Sequence, residues 1–339
     1  MGSKLVSVVV RALNEEKWLG KALAACRSQT LVKGRQIELI LVDSGSTDAT
    51  VSIAREHGAR IVHIAKEEFT FGRSLNVGCE AARGEILVFI SAHCIPMTDA
   101  WLELLIRPIE EGLCDYTYGR QVGHAISRFS ERQVFAHYFG KMSQIPQQGF
   151  FCNNANSAIS ADIWRKHRFD ETVTGLEDMV LAKTIVAAGG RVGYVAEAPV
   201  AHIHEESLKQ TQRRYYREAL TMRTIMPEVH FHIWDMVSCF VAGVIHDAHA
   251  AMQEKAFWKE AGGIIGFRFN QYWGTYRGHN EHRVLSQAQK ISYYYPQSPK
   301  RKENRNAAAS AKDPSRKDAD VENGSPWEAV PAGADLTRD

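Results

Sequence analysis

Long apolar runs are missing from this chain of 339 residues. None reaches the roughly 18 residues that a membrane-spanning helix needs. The nearest, Met236–Ile245, is closed by Asp235 and His246. An excess of one charge is also missing. With 41 basic and 39 acidic side chains the net charge is +2, so overall charge gives no footprint for nucleic acid. The six cysteines, at 26, 79, 94, 114, 152 and 239, form no Cys-x-x-Cys pair, which argues against a zinc cluster or a thioredoxin-type motif. A chain this long needs no disulfide staples, so reduced thiols in a cytoplasm are the simplest expectation. The first residues carry no basic segment followed by an apolar stretch, so no secretory leader is expected. Val6 stands where a myristoylation pattern needs Ser or Thr. There is no internal repeat.

What is present is ordinary globular composition, 45% hydrophobic and 24% charged. The length suits one large domain or a domain with an appendage. Leu5–Val10 is short, β-branched and almost continuously apolar, as in a strand buried on both faces of a parallel sheet. Ile37–Val42, Arg60–Ile64 and Glu85–Ile90 repeat the theme. Helical patterns follow each of the first two, through Leu19–Cys26 and Val51–Ala54. A third, of small residues, runs to Arg83-Gly84, after a loop that holds Arg73 and Asn76. Strands and helices alternating in short steps predict a doubly wound, mostly parallel α/β sheet. Ligands then bind outside the carboxyl ends of the strands. Polar clusters occupy three such ends, at 11–16, 43–48 and 91–94.

Farther along, Trp101–Ile109 reads as a helix and Phe150–Ile159 as a loop entering a strand. Leu176–Ala188 reads as a helix, and Val192–Val195 and Val200–His204 as two strands. From 206 to about 298 the pattern is helical. Beyond Pro299 it is polar and low in complexity, a composition expected to stay disordered. The expected division is a catalytic unit over 1–205, a helical region over 206–298 and a tail over 299–339.

Four motifs, in order, resemble the family-2 inverting glycosyltransferases of the A-type fold. They are Val9-Val-Arg-Ala-Leu-Asn-Glu-Glu16, Ile40-Leu-Val-Asp-Ser-Gly-Ser-Thr-Asp-Ala-Thr50, the Asn76-Val-Gly to Gly84 helix, and Thr174-Gly-Leu-Glu-Asp178. Phe69-Thr-Phe-Gly-Arg-Ser-Leu-Asn76 is most similar to bacterial rhamnosyltransferase-type members. The resemblance covers about the first two-thirds of the chain.

It implies a Rossmann-like A-type fold and a nucleoside-diphosphate sugar donor. Asp43 would read a uracil or thymine ring, whose imide N–H a carboxylate can accept, so the donor would be UDP- or dTDP-linked; the alternative for Asp43 is a helix N-cap. Asn14 and Glu15 would meet the nucleoside. Arg73 can meet the pyrophosphate, because a guanidinium fork fits phosphate oxygens. Asn76, Ser91 and Ala92 complete the donor set, and Asp48 more simply caps the next helix. Asp178 matches the family's base and Glu177 an acceptor or donor contact. Helix N-terminal placement alone also favours two acids there.

The departure from the pattern is Ser91-Ala92-His93, where the family has an acidic D-x-D motif that holds Mg²⁺ or Mn²⁺. Three readings of His93 stay open: a metal ligand, a cationic contact to the diphosphate, or a sign of lost activity. Histidine suits Mn²⁺ better than Mg²⁺. On a strand, His202 and His204 share a face and can join His93, or they are two surface histidines. Asn153, Asn154 and Asn156 can contact sugar hydroxyls or form a turn. The arginines of Gln212–Arg217 can neutralise the leaving diphosphate or form a solvated helix face.

The aromatic helices near the C-terminus pack onto the catalytic unit or between subunits. They can also form an interfacial membrane surface, with Trp258, Ile264, Ile265, Phe267, Phe269, Tyr272, Trp273 and Tyr276 beside Lys255, Lys259, Arg268 and Arg277. The expected acceptor is a glycan or lipid-linked hydroxyl in surface polysaccharide synthesis, and the expected location cytoplasmic, with attachment to the inner membrane face left open. Two rivals are a non-catalytic nucleotide-sugar-binding module and a nucleotidyltransferase. The second lacks its glycine-rich loop, since Arg11–Glu16 has no glycine.

Overall fold

A computed structural model describes residues 5–30 and 34–283. The buried β-branched runs become parallel strands. β1 (Leu5–Ala12) pairs with β2 (Gln36–Asp43), Ala12 lying opposite Asp43. β3 (Arg60–His63) extends the sheet beyond β2. β4 (Ile86–Ser91) flanks β1 on its other side, Arg11 opposite Ser91. The crossovers are α1 (Leu19–Arg27), α2 (Thr50–Glu56) and α3 (Phe71–Ala81). This register brings the three polar clusters to one edge, as the alternation predicts.

The second half adds β5 (Cys94–Pro96), α4 (Trp101–Glu110), β6 (Tyr116–Gly123), α5 (Phe129–Tyr138), β7 (Asn156–Ser160), α6 (Ala161–His167), α7 (Glu177–Ala187) and β8 (Val192–His202). The strand order is β3-β2-β1-β4-β7-β6-β8-β5. β7 runs antiparallel to β4 and β6, and β8 is parallel to β6. The two strands expected between Val192 and His204 are therefore one. β5 pairs antiparallel with β8, placing Cys94 opposite His202, and the Ile203 N–H donates to the His93 carbonyl at 3.1 Å. That pairing sets His93 beside His202.

Alternate residues feed two cores, one on each face of the sheet. Val8, Val10, Leu39 and Leu41 enter one, Val9, Ile40 and Val42 the other. Gly78 lets α3 sit close. A Cβ there would lie 2.5 Å from Val9 Cγ1 and 2.9 Å from Val42 Cγ2. α3 begins at Phe71, capped by the Thr70 hydroxyl, which accepts the Arg73 N–H at 3.0 Å. Arg73 and Asn76 thus lie on a helix, not in a loop.

Three helices close the described chain: α8 (Leu208–Ile225), α9 (Ile233–Gln253) and α10 (Phe257–His279). A Ser207–Gln210 capping box opens α8. α10 crosses α8 at Gly274, where a Cβ would lie 2.4 Å from the Gln212 carbonyl oxygen. Arg268 on α10 donates to both Asp247 oxygens on α9, at 2.7 and 2.6 Å, in a buried bidentate pair. Ile264 and Phe267 are buried too, so these three residues leave the set expected to face a membrane. Trp258, 92% exposed, stays in that set with Ile265 and Phe269. Among the described residues no helix is long and apolar enough to cross a membrane. The tail expected at 299–339 lies outside the described residues.

Candidate active site

The aligned strand ends open into a cleft of about 580 Å³. It is lined by Arg11, Asn14, Glu15, Ser91, His93, Asn154, Glu177, Asp178, His202 and His204, among others. A smaller cavity of about 180 Å³ adjoins it, walled by Ala12, Leu13, Ser44, Phe69 and Phe71.

The loops after β1 and β2 are clasped together. The Asn14 N–H donates to Ser46 Oγ, and Asn14 Oδ1 accepts the Thr47 N–H at 2.8 Å. Asn14 holds a left-handed backbone, φ 56°, which asparagine tolerates better than most side chains. Asp48 accepts from the Thr50 and Glu16 N–H groups and so ties the start of α2 to the loop after β1, while Ala49 holds the N-cap position expected of Asp48. Asp43 is buried. Its carboxylate accepts the Gly45 and Ser46 N–H groups and faces His63 Nδ1 at 3.2 Å, so it shapes the turn that presents Ser44.

Four expected donor contacts, Asp43, Arg73, Asn76 and Ala92, line neither the cleft nor the adjoining cavity, and the Asp43 carboxylate is turned to its own loop and His63. Asn76 is buried and spent on its own chain. Its Oδ1 accepts Trp164 Nε1–H and the Phe169 N–H, and its Nδ2 donates to the Phe169 carbonyl and to Glu171. Arg73 pairs with Glu68 and Glu171. Both residues tie α3 to the segment after α6. Ala92 is buried without lining the cleft, while its neighbour Ser91 does line it.

Glu177 and Asp178 open α7 after Leu176, which holds φ 52°. A left-handed leucine costs about 1–2 kcal/mol. Here it aims two adjacent acids into the cleft at a positive helix end. Glu177 pairs with Arg11 at 3.0 Å. Asp178 is 6% exposed and accepts the Asn154 and Met179 N–H groups, each at 2.8 Å. Burial first, and the Glu177 charge second, push its carboxyl up to about 7, against the pull of those N–H groups and Arg11. Asn154 beside it uses Oδ1 to accept the Tyr116 and Ser157 hydroxyls, leaving a buried Nδ2 with no partner. Asn153 and Asn156 serve the scaffold: Asn156 bridges Trp101, Arg120 and Ala198.

Opposite lie three imidazoles. His93 stacks on His202 with centroids 5.2 Å apart, and His204 lies 4.2 Å from His202. One ligand nitrogen from each falls within 4.8 Å of the others. Burial, then the nearby His204 and His93, hold His202 well below the ordinary histidine value, so it is neutral. His202 Nε2 is buried with no hydrogen-bond partner.

Several functional neighbours were not foreseen. Arg11 lies 5.0 Å from the Phe71 ring centroid, and Arg217, one of the arginines of the Gln212–Arg217 segment, lies 4.6 Å from it. A charged residue ending an otherwise apolar strand was the signal for Arg11. Arg214, from the same basic segment, is half-buried and donates to both Glu131 oxygens. Gln121 and Glu131 carry no local signal, and Phe71 stands out only as part of the Phe69–Asn76 motif.

A clasped pair of loops, an acid pair at a helix start and three clustered histidines lie at the ends of a Rossmann-like sheet, the architecture of the A-type glycosyltransferases. Residues 7–168, just under half of the chain, match the profile described as Glycosyl transferase family 2. Residues 173–292 match Glycosyl transferase family 21. The chain is similar to the O-antigen chain rhamnosyltransferase RfbN of Salmonella typhimurium, 24% identical over 62% of this chain and 70% of that protein. It is likewise similar to WbaN of Salmonella anatum, 26% identical over 53% of this chain and 60% of that one. The solved mannosyltransferase PcManGT of Pyrobaculum calidifontis, in complex with GDP-Man and Mn²⁺, shares the fold. It superposes with a TM-score of 0.54 at 15% identity over 85% of each chain.

Proposed function

We propose that this glycosyltransferase inverts the anomeric centre, moving a hexosyl or deoxyhexosyl group from a UDP- or dTDP-linked donor to a hydroxyl of a glycan or lipid-linked acceptor. The observation that carries the reading is Asp178, a buried carboxyl at a cleft wall that titrates near neutrality. An inverting transfer needs one base and one in-line attack. The acceptor oxygen bonds to the anomeric carbon as the carbon–oxygen bond to the diphosphate breaks. The bonding pair leaves on the nucleoside diphosphate, and the acceptor proton passes to Asp178.

The other residues position and shield. The nucleoside fits the small cavity by Ser44, Leu13 and Phe71, on the turn built by Asp43 and beside Asn14 and Glu15. Arg11 holds Glu177 in place and, with Arg217, supplies positive charge near the leaving group. The unpartnered Asn154 Nδ2 is a donor for a sugar or acceptor hydroxyl. His93, His202 and His204 fit a divalent cation, because His202 Nε2 is a buried lone-pair atom without a partner. Such an ion, when bound, offsets diphosphate charge. RfbN and WbaN, whose names describe O-antigen chain rhamnosyltransferases, support a surface-polysaccharide acceptor. The exposed Trp234, Ile245, Trp258 and Ile265 support peripheral contact with a membrane that carries it. The test is Asp178→Asn with the cognate donor and acceptor. Transfer falls by about 10²–10⁴-fold while donor binding persists. Undiminished transfer overturns the assignment.

A further inference from the structure

His93, His202 and His204 are the residues that would hold an ion. The hydrogen bonds around them say which ion. This inference rests on the transferase reading only for the identity of the cleft.

Each of the three imidazoles has its Nδ1 committed. His93 Nδ1 faces Glu15 Oε1 at 2.9 Å, and His204 Nδ1 faces Glu131 Oε1 at 2.9 Å. An ionised carboxylate only accepts, so each of these nitrogens carries a proton. Glu131 also accepts Arg214 Nη2 on both of its oxygens, at 2.8 and 3.0 Å, so it faces His204 as an acceptor.

The His202 tautomer is fixed by a relay. The Ala155 N–H donates to Asn153 Oδ1, which therefore faces a donor in Gln121 Nε2 at 3.0 Å. Gln121 is thereby oriented with Oε1 toward His202 Nδ1, at 2.7 Å. That nitrogen donates, and Nε2 is left as a lone pair. Every ring therefore offers Nε2, and the ring buried deepest offers it to nothing in the protein.

We infer that His93, His202 and His204 form a preorganised three-nitrogen site for a first-row transition cation of the Zn²⁺, Co²⁺ and Mn²⁺ class, with Glu15, Gln121 and Glu131 as positioning residues, and that the site rejects Mg²⁺. Mg²⁺ demands oxygen ligands and dehydrates reluctantly, whereas neutral imidazole suits transition ions. A histidine whose other nitrogen is held by a carboxylate or amide oxygen is the arrangement that orients such ligands. The three Nδ1 partners come from the β1–α1 loop, β6 and α5, so the site joins three separate parts of the fold.

The experiment uses the full chain without a histidine tag, stripped with EDTA and titrated with Co²⁺ alone. The expected result is one equivalent bound, with visible ligand-field bands that Zn²⁺ abolishes and a thousandfold excess of Mg²⁺ leaves intact. His202→Ala loses the bands while its thermal unfolding stays cooperative. Gln121→Ala and Glu131→Gln weaken Co²⁺ binding by about 10–100-fold. No bands in the folded wild type, or equal competition by Mg²⁺, overturns the inference. Calorimetric titration of UDP and dTDP sugars on the same samples separates the two claims. Donor binding without Co²⁺ bands leaves the transferase reading standing and removes this one. Bands without binding of any donor do the reverse.

Discussion

Replacing Asp178 by Asn separates chemistry from folding, because the two respond to pH in opposite ways. Its carboxyl titrates at about 7 in the folded protein against an ordinary 3.8. A folded value above the unfolded one contributes stability that is fully present below pH 3.8 and lost as pH rises through about 7. The charged form therefore costs the fold on the order of 4 kcal/mol above neutrality. Asparagine escapes that cost at high pH. It also turns an NH₂ group toward either the Asn154 or the Met179 N–H, each now bonded to Asp178. One lost bond of this kind costs about 1–3 kcal/mol at every pH. The variant should be less stable than wild type near pH 5 and equal or more stable near pH 8.5. Activity runs the other way. Wild-type kcat/KM should climb with pH through about 7 as the base ionises, while the variant is flat and lower by about 10²–10⁴-fold. Urea unfolding at both pH values and a pH–rate profile check both halves. A stability difference independent of pH would refute the burial argument, and an unchanged pH profile would refute the base.

Arg11→Ala removes a positive charge that lowers the Asp178 carboxyl, so the rising limb of the pH–rate profile should move to higher pH. Asn76→Ala leaves Trp164 Nε1 and the Phe169 N–H without their acceptor, which should cost about 2–4 kcal/mol in urea unfolding. Donor KM should not change, which separates a scaffold role from the donor contact its motif suggests. Gly78→Ala drives a methyl into Val9 and Val42 and should lower stability by about 1–3 kcal/mol, again with donor KM unaltered.

The sheet and the acid pair were legible because their signals are local. A β-branched run followed by a polar turn announces both a buried strand and the ligand edge beyond it, and Glu177-Asp178 declares itself at a helix start. His93 was legible from its place in the motif after β4, and His202 and His204 by type and close spacing, although β8 ends at His202 and His204 lies beyond it. Their second nitrogens were not, since His202 and Gln121 lie 81 residues apart and meet only through the β6–β8 pairing. β6 itself was hidden by its glycines. Asn76 and Arg73 misled for a physical reason: a polar residue inside a motif looks the same whether it serves a ligand or its own backbone.

The most direct test of the account is donor turnover by EDTA-stripped protein offered UDP-, dTDP-, GDP- and CMP-sugars, with Mn²⁺, Zn²⁺, Mg²⁺ or no metal added. The account predicts that one UDP- or dTDP-linked donor is bound and slowly hydrolysed, that a transition ion and not Mg²⁺ supports it, and that Asp178→Asn abolishes hydrolysis while still binding the donor. Folded protein that binds none of these donors under any condition would contradict it.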